Sequence, residues 1–174
     1  MELLGKPLNG DILVVGDGNF SFSCCLAVSL SSTDFQHKII ATSFDKRAKL
    51  EKDGFAQENI KKLSLFSNVE IIHGVDATNL DFTFKAQKFA RIIFNFPHTG
   101  GKSNIKKCRQ LLVDFFTSAA GCVLPKTGEV CVSLCQGQGG IPADEVQRGY
   151  GNTWQVVEQA AKASKIIIGQ LMYE

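Results

Sequence analysis

The feature that most constrains this chain is an alternation of two patterns. Short apolar runs, rich in β-branched residues, are separated by longer stretches whose apolar residues recur at helical spacing. The runs are Asp11 to Val15, Lys38 to Thr42, Val69 to Ile72, Ala90 to Asn95, Glu129 to Leu134 and Ile166 to Gln170. The helix-like stretches are Phe20 to Leu30, Lys46 to Leu65, about Ser103 to Ala120 and about Thr153 to Ala163. A strand that is apolar on both sides must be covered on both sides, which is the condition of a parallel sheet. The alternation therefore predicts an α/β fold: a mainly parallel, doubly wound sheet, helices on both faces and right-handed crossovers. Gly121 and Pro125 follow the third helical stretch, as helix stops do.

The length of 174 residues fits one domain, 1–174, with a core large enough to need no disulfide or metal staple. A hydrophobic share of 44% excludes a disordered chain. A net charge of +2 is too small to mark a nucleic-acid binder, so any RNA contact needs a local basic patch. The six cysteines include no Cys-x-x-Cys pair, so no zinc site or other metal is expected, and they read as packing residues in a reducing compartment. There is no signal-peptide pattern and no apolar run near the roughly 20 residues of a membrane span. The expectation is a soluble protein without a membrane partner, inside the cell, in nucleus, nucleolus or cytoplasm.

Four segments carry candidate chemistry. In Val14-Val15-Gly16-Asp17-Gly18-Asn19-Phe20-Ser21 a strand runs through a glycine turn into a helix. Glycine lets backbone approach a ligand closely, and the helix start offers N–H groups to an anion. Gly16, Asp17, Gly18, Asn19, Phe20 and Ser21 are thus candidate cofactor residues, although the strict dinucleotide pattern asks for a third glycine or alanine where Ser21 stands. Asp45, after the second strand, is placed to accept ribose hydroxyls, or to cap the next helix. Asp76 and Ala77, after the third strand, are placed to meet an adenine edge, or to form a turn.

The fourth segment, Asn95-Phe96-Pro97-His98, closes the fourth strand. Methyltransferases acting on amino or ring nitrogens carry Asn or Asp, a spacer, Pro and a ring here. These four residues are the candidate catalytic set: the Asn95 oxygen accepts from a proton-bearing nitrogen, Phe96 stacks or packs, and neutral His98 takes a proton. This segment favours methyl transfer over hydride transfer. Gly100-Gly101-Lys102-Ser103 resembles a P-loop tail, but Phe96 stands where that motif needs its first glycine. Lys102, Lys106, Lys107 and Arg109 follow as a candidate phosphate-binding face, or as a solvated helix face. Gln136 to Asn152, with five glycines, is long for a loop and follows a strand on the ligand-binding side.

Gly16-Asp17-Gly18-Asn19-Phe20-Ser21-Phe22-Ser23, Thr42-Ser43-Phe44-Asp45 and Asn95-Phe96-Pro97-His98-Thr99-Gly100-Gly101-Lys102 together resemble the large-subunit rRNA uridine-N3-methyltransferase-like domain family. Gln136-Gly137-Gln138-Gly139-Gly140 and Trp154-Gln155-Val156-Val157 are similar to a subgroup in which this domain precedes a ferredoxin-fold anticodon-binding domain. The resemblance implies a Rossmann-like class I methyltransferase fold, S-adenosylmethionine as methyl donor and RNA as partner, rRNA ahead of tRNA. It implies methylation of uridine N3, with Gly16, Asp17, Gly18, Asp45 and Asp76 on the cofactor and Asn95 to His98 on the base. Such sheets usually close with a seventh, antiparallel strand that this chain does not supply, so it is expected to be a piece of a longer protein. The competing reading is a non-catalytic scaffold that assists a fused or partner RNA-binding domain.

Overall fold

The computed structural model describes residues 2–3, 6–102 and 104–163. A small antiparallel pair, β1 (Glu2–Leu3) and β2 (Lys6–Pro7), precedes the main sheet. That sheet contains β3 (Ile12–Val15), β4 (Ile39–Ser43), β5 (Val69–His73), β6 (Arg91–Asn95) and β7 (Glu129–Ser133). Its order is β5-β4-β3-β6-β7, and every pair is parallel. The sixth expected strand, Ile166 to Gln170, lies outside the described residues.

Side-chain alternation along each strand feeds two cores, as the apolar runs require. Leu13, Val15, Ile40, Ile92 and Phe94 point to one face. There they pack beneath α4 (Leu80–Phe84), α5 (Ile105–Ala120) and α6 (Val156–Lys162), through Leu80, Leu112, Phe115 and Ala160. Ile12, Val14, Ile39, Ala41 and Ile93 point to the other face, against α1 (Ser21–Ser31) and α3 (Gly54–Leu63), through Leu26, Leu30, Ala56 and Leu63. The sheet is doubly wound, as expected. Phe94 meets Phe115 edge to face at 5.0 Å, which ties β6 to α5.

The differences from expectation have local causes. The stretch Lys46 to Leu65 forms two helices, α2 (Arg47–Leu50) and α3. Asp53 interrupts it, because its carboxylate accepts from the Phe55 and Ala56 amides and so starts a new helix. A 3₁₀ turn (Ala77–Asn79) and the short α4 were not anticipated; Ala77 is the buried residue of the turn, and Leu80 and Phe84, four apart, are those of α4, too few to register as periodicity. Helix α5 begins at Ile105 because Asn104 accepts from the Lys107 amide. Helix α6 begins late because the Trp154 and Val156 amides donate to the carbonyls of Gln138 and Gly139.

Replacing Asp53 by Ala should cost about 1 kcal/mol, the usual worth of an N-cap. Urea denaturation of the two proteins, compared at equal slope, measures it; an unchanged midpoint would mean that the α2–α3 break is set elsewhere.

Candidate functional site

All five parallel strands end on the same edge of the sheet, so the segments after them gather there. The chain runs β3 to β4 to β5 in one direction, then returns to place β6 on the other flank of β3. This reversal between β3 and β6 is where open α/β sheets leave a ligand crevice. The register pairs Val15 with Phe94. Gly16 and Asn95, the residues that follow this last pair, therefore flank that crevice.

The glycine turn divides its work between its two glycines. Gly16 has φ +65°, and a Cβ there would lie 2.9 Å from the Phe94 ring. Its small size is thus demanded by the protein itself. A Cβ on Gly18 would meet no protein atom within 4 Å, and the residue is exposed. Nothing in the protein demands a glycine's small size there.

The start of α1 differs from expectation. Asp17 occupies it: its Oδ2 accepts from the amide and the hydroxyl of Ser23, both at 2.7 Å. Asn19 Oδ1 accepts from the Ser21 amide at 3.1 Å. The turn therefore presents a carboxylate where free N–H groups for an anion were anticipated, and it suits a cationic ligand group better. Phe20 adopts φ +62° and is fully buried, with its ring edge-on to His73 at 5.5 Å. Its side chain belongs to the core, which leaves only its backbone for a cofactor. This left-handed Phe is a strained position held by the packing around it.

Asp45 follows β4 and is fixed through its backbone. Its carbonyl accepts from the Ser43 hydroxyl at 2.9 Å and from the Gly74 amide at 3.3 Å. Because the Ser43 proton goes to that carbonyl, His73 Nδ1, 3.0 Å from Ser43 Oγ, is the donor of the pair. Burial, followed by the nearby Arg47 charge, holds the His73 pKa below its ordinary value and so favours this neutral ring. The Asp45 carboxylate pairs with Lys49 Nζ at 2.8 Å, not with a helix amide. Lys49 is largely exposed, and such a surface pair is worth about 0–1 kcal/mol, so a ribose would displace it at small cost. Asp76 is exposed, and its Oδ1 accepts from the Thr78 amide and hydroxyl; Ala77 is buried beside it. Asp76 thus has the local turn role that the sequence left open, with its Oδ2 unused by the described residues, whereas Asp45 does not cap the next helix.

On the base side, Asn95 Oδ1 accepts from the Ser133 hydroxyl at 2.7 Å. Phe96 has φ +49° and is 62% exposed, an uncommon presentation for a phenylalanine. Pro97 is buried and holds the segment. His98 Nδ1 accepts from the Gly100 amide at 2.8 Å. Its basic lone pair is thus occupied, and the free Nε2 carries the proton. A neutral His98 in this arrangement donates, which argues against the role of proton acceptor expected for it.

The basic cluster also separates. Lys102, Lys106 and Lys107 are exposed. Arg109 is turned inward: its guanidinium donates to the Thr153 carbonyl (Nη2, 2.7 Å) and the Gly151 carbonyl (2.9 Å). It ties α5 to the long 136–152 segment and is withdrawn from the phosphate-binding set. At the other end of that segment the Asp144 carboxylate accepts from the Gly137, Gly140 and Ile141 amides. The segment is an ordered loop clamped at two points, rooted at Ser133. Sequence reading gave no role to Ser133, Arg109 as a clamp, or Asp144; only the alignment of β7 with β6 reveals the first.

Residues 13–173 match the profile of the BMT5-like family, described as rRNA (uridine-N3-)-methyltransferase BTM5-like. The chain is 48% identical over 158 residues to the mouse ferredoxin-fold anticodon-binding domain-containing protein 1 homolog. It is 42% identical over 158 residues to the human ferredoxin-fold anticodon-binding domain-containing protein 1. Each alignment covers 90% of this chain, which spans about a quarter of those relatives (25% and 24%). Among solved structures, the fibrillarin/Nop5p complex contains a chain similar in fold, with a TM-score of 0.55 at 14% identity, covering 90% of this chain and 65% of that one.

Gly16→Ala should destabilise the fold by about 2 kcal/mol or more, through the left-handed φ and the collision with Phe94. Thermal and urea unfolding test this, with Gly18→Ala as the control that should unfold like the wild type. Arg109→Ala should release one clamp of the 136–152 loop, read as faster proteolytic cleavage within the loop while the core melts nearly unchanged.

Proposed function

The chain belongs to the BMT5-like methyltransferase family, and from that premise we propose that it is the S-adenosylmethionine-binding catalytic domain of an RNA methyltransferase acting on uridine N3, in rRNA ahead of tRNA. The observation that carries this reading is the β3–β6 register, which sets the glycine turn and the Asn95–His98 segment side by side at the switch point of the sheet.

The residues present fit such a cofactor. The open space over Gly18, the Asp17 carboxylate at the turn and the Asp45 carboxylate after β4 match, in order, a close backbone approach, an ammonium and a ribose. When bound, S-adenosylmethionine supplies a methyl group already activated by its sulfonium, so the protein's contribution is position and local field.

The chain's own residues supply that positioning. A uracil base enters only if unpaired or flipped out. The exposed Phe96 ring is available for stacking, a contact worth about 1–3 kcal/mol per base. The N3 proton must leave, and with His98 Nδ1 engaged by Gly100, water is the acceptor we favour. Lys102, Lys106 and Lys107 offer charge to the RNA backbone.

Calorimetry of the full-length protein with S-adenosylmethionine should detect binding that Gly18→Ala weakens at least about tenfold, roughly 1.4 kcal/mol, while leaving thermal stability unchanged. No binding by the folded wild type would favour the scaffold reading. Methyl transfer to rRNA and tRNA, followed by nucleoside mass spectrometry, should reveal N3-methyluridine. Phe96→Ala should lower it about 5- to 150-fold, the equivalent of one lost stack. Full activity in Asn95→Ala would sink the assignment of the base side.

A further inference from the structure

We propose that Ser133 is a specificity-determining positioning residue, which holds Asn95 as a hydrogen-bond donor and so selects a base with a carbonyl, not an amino group, at the 4-position beside the methylated nitrogen. The inference rests on the reading above, and it reverses the polarity that the sequence suggested for Asn95.

Ser133 closes β7 and Asn95 closes β6, and the two are register partners. Ser133 makes two bonds to the base-side segment. Its hydroxyl donates to Asn95 Oδ1 at 2.7 Å, and its carbonyl accepts from the Phe96 amide at 2.9 Å. One strand residue thereby fixes both the Asn95 amide and the backbone of the exposed Phe96. Both Asn95 and Ser133 are half-buried, so the bond is sheltered while Asn95 still reaches the surface.

An amide has one oxygen, which accepts, and one nitrogen, which donates twice. With Oδ1 held by Ser133, Nδ2 and its two protons have no hydrogen-bond acceptor among the described residues. The group offered to a base is therefore a donor. In uracil, N3 lies between two carbonyl oxygens, and the negative charge left by loss of the N3 proton spreads onto both. A donor aimed at the 4-carbonyl oxygen binds the charge where it develops, so its effect is larger in the transition state than in the ground state. Cytosine carries an amino group in place of the 4-carbonyl. Facing a fixed donor, that amino group is left unpaired, and a site built for a hydrogen bond rejects such a substrate strongly. Without the Ser133 hydroxyl the Asn95 amide is free to turn over and present its oxygen, which accepts from an amino group.

The test compares RNA substrates carrying uridine or cytidine at the mapped target nucleotide, using the full-length protein. Ser133→Ala should lower kcat on uridine about tenfold with KM for RNA little changed, and should shrink the preference for uridine over cytidine by a similar factor. Ser133→Thr keeps the hydroxyl and should restore both. Asn95→Asp keeps an acceptor for Ser133 but offers the base only acceptors, so it should lose uridine methylation and move the preference toward cytidine. Wild-type discrimination in Ser133→Ala, equal impairment of Ser133→Ala and Ser133→Thr, or retained uridine preference in Asn95→Asp would each overturn the inference. If the wild type transfers no methyl group to RNA, the underlying reading fails and this inference fails with it.

Discussion

The parallel pairing of β3 with β6 is the constraint on which the rest depends. Among the described strands, it is the contact that joins elements distant in sequence across the reversal of strand order. The pairing of Val15 with Phe94 does more than close the sheet. It brings the Phe94 ring under Gly16, and that ring is itself held edge-on by Phe115 of α5. A larger residue at Gly16 would have to move a ring that is locked from the other side. The shape of the glycine turn is therefore a consequence of core packing before it is a feature of any ligand site.

This gives the two glycines different meanings, though the sequence presents them as a matched pair. Gly16 answers to the core and Gly18 to open space. The same separation applies to the acids. Asp17 sets its own carboxylate on the Ser23 amide at the start of α1, so the dipole end that makes helix N-termini anion sites already faces a negative charge. What remains at the turn is negative charge beside an open surface, and that favours an ammonium over a carboxylate or a pyrophosphate. The departure from the dinucleotide pattern at Ser21 and the capping by Asp17 thus point the same way.

The strands were legible in the sequence because each is apolar on both faces, a pattern few other structures produce. The two-faced core followed directly. Boundaries of the helices were less legible where a side chain competed for backbone amides, as Asp53 and Asn104 do. Helix α4 was invisible because only Leu80 and Phe84 anchor it. At the site, motif positions were readable but hydrogen-bond polarity was not. Nothing in Asn-Phe-Pro-His says that Gly100 occupies the His98 lone pair, or that Ser133 occupies the Asn95 oxygen. Those partners come from a tight turn and from a strand 38 residues away in sequence. Arg109 shows the same limit: helical spacing grouped it with Lys102 and Lys106, yet carbonyls of a distant loop draw it inward.

The polarity of the base-side groups then shapes the chemistry. If His98 and Asn95 both face the crevice as donors, the site has no strong base of its own among the motif residues. It instead surrounds the reacting nitrogen with groups that stabilise negative charge on neighbouring oxygens. Such a site does not need to abstract the N3 proton forcefully. It lowers the cost of the anion, lets water carry the proton away, and leaves the activated methyl group to a nucleophile held in place. Discrimination and rate then have one origin, since a donor that stabilises the uracil anion is the same donor that leaves a cytosine amino group without a partner.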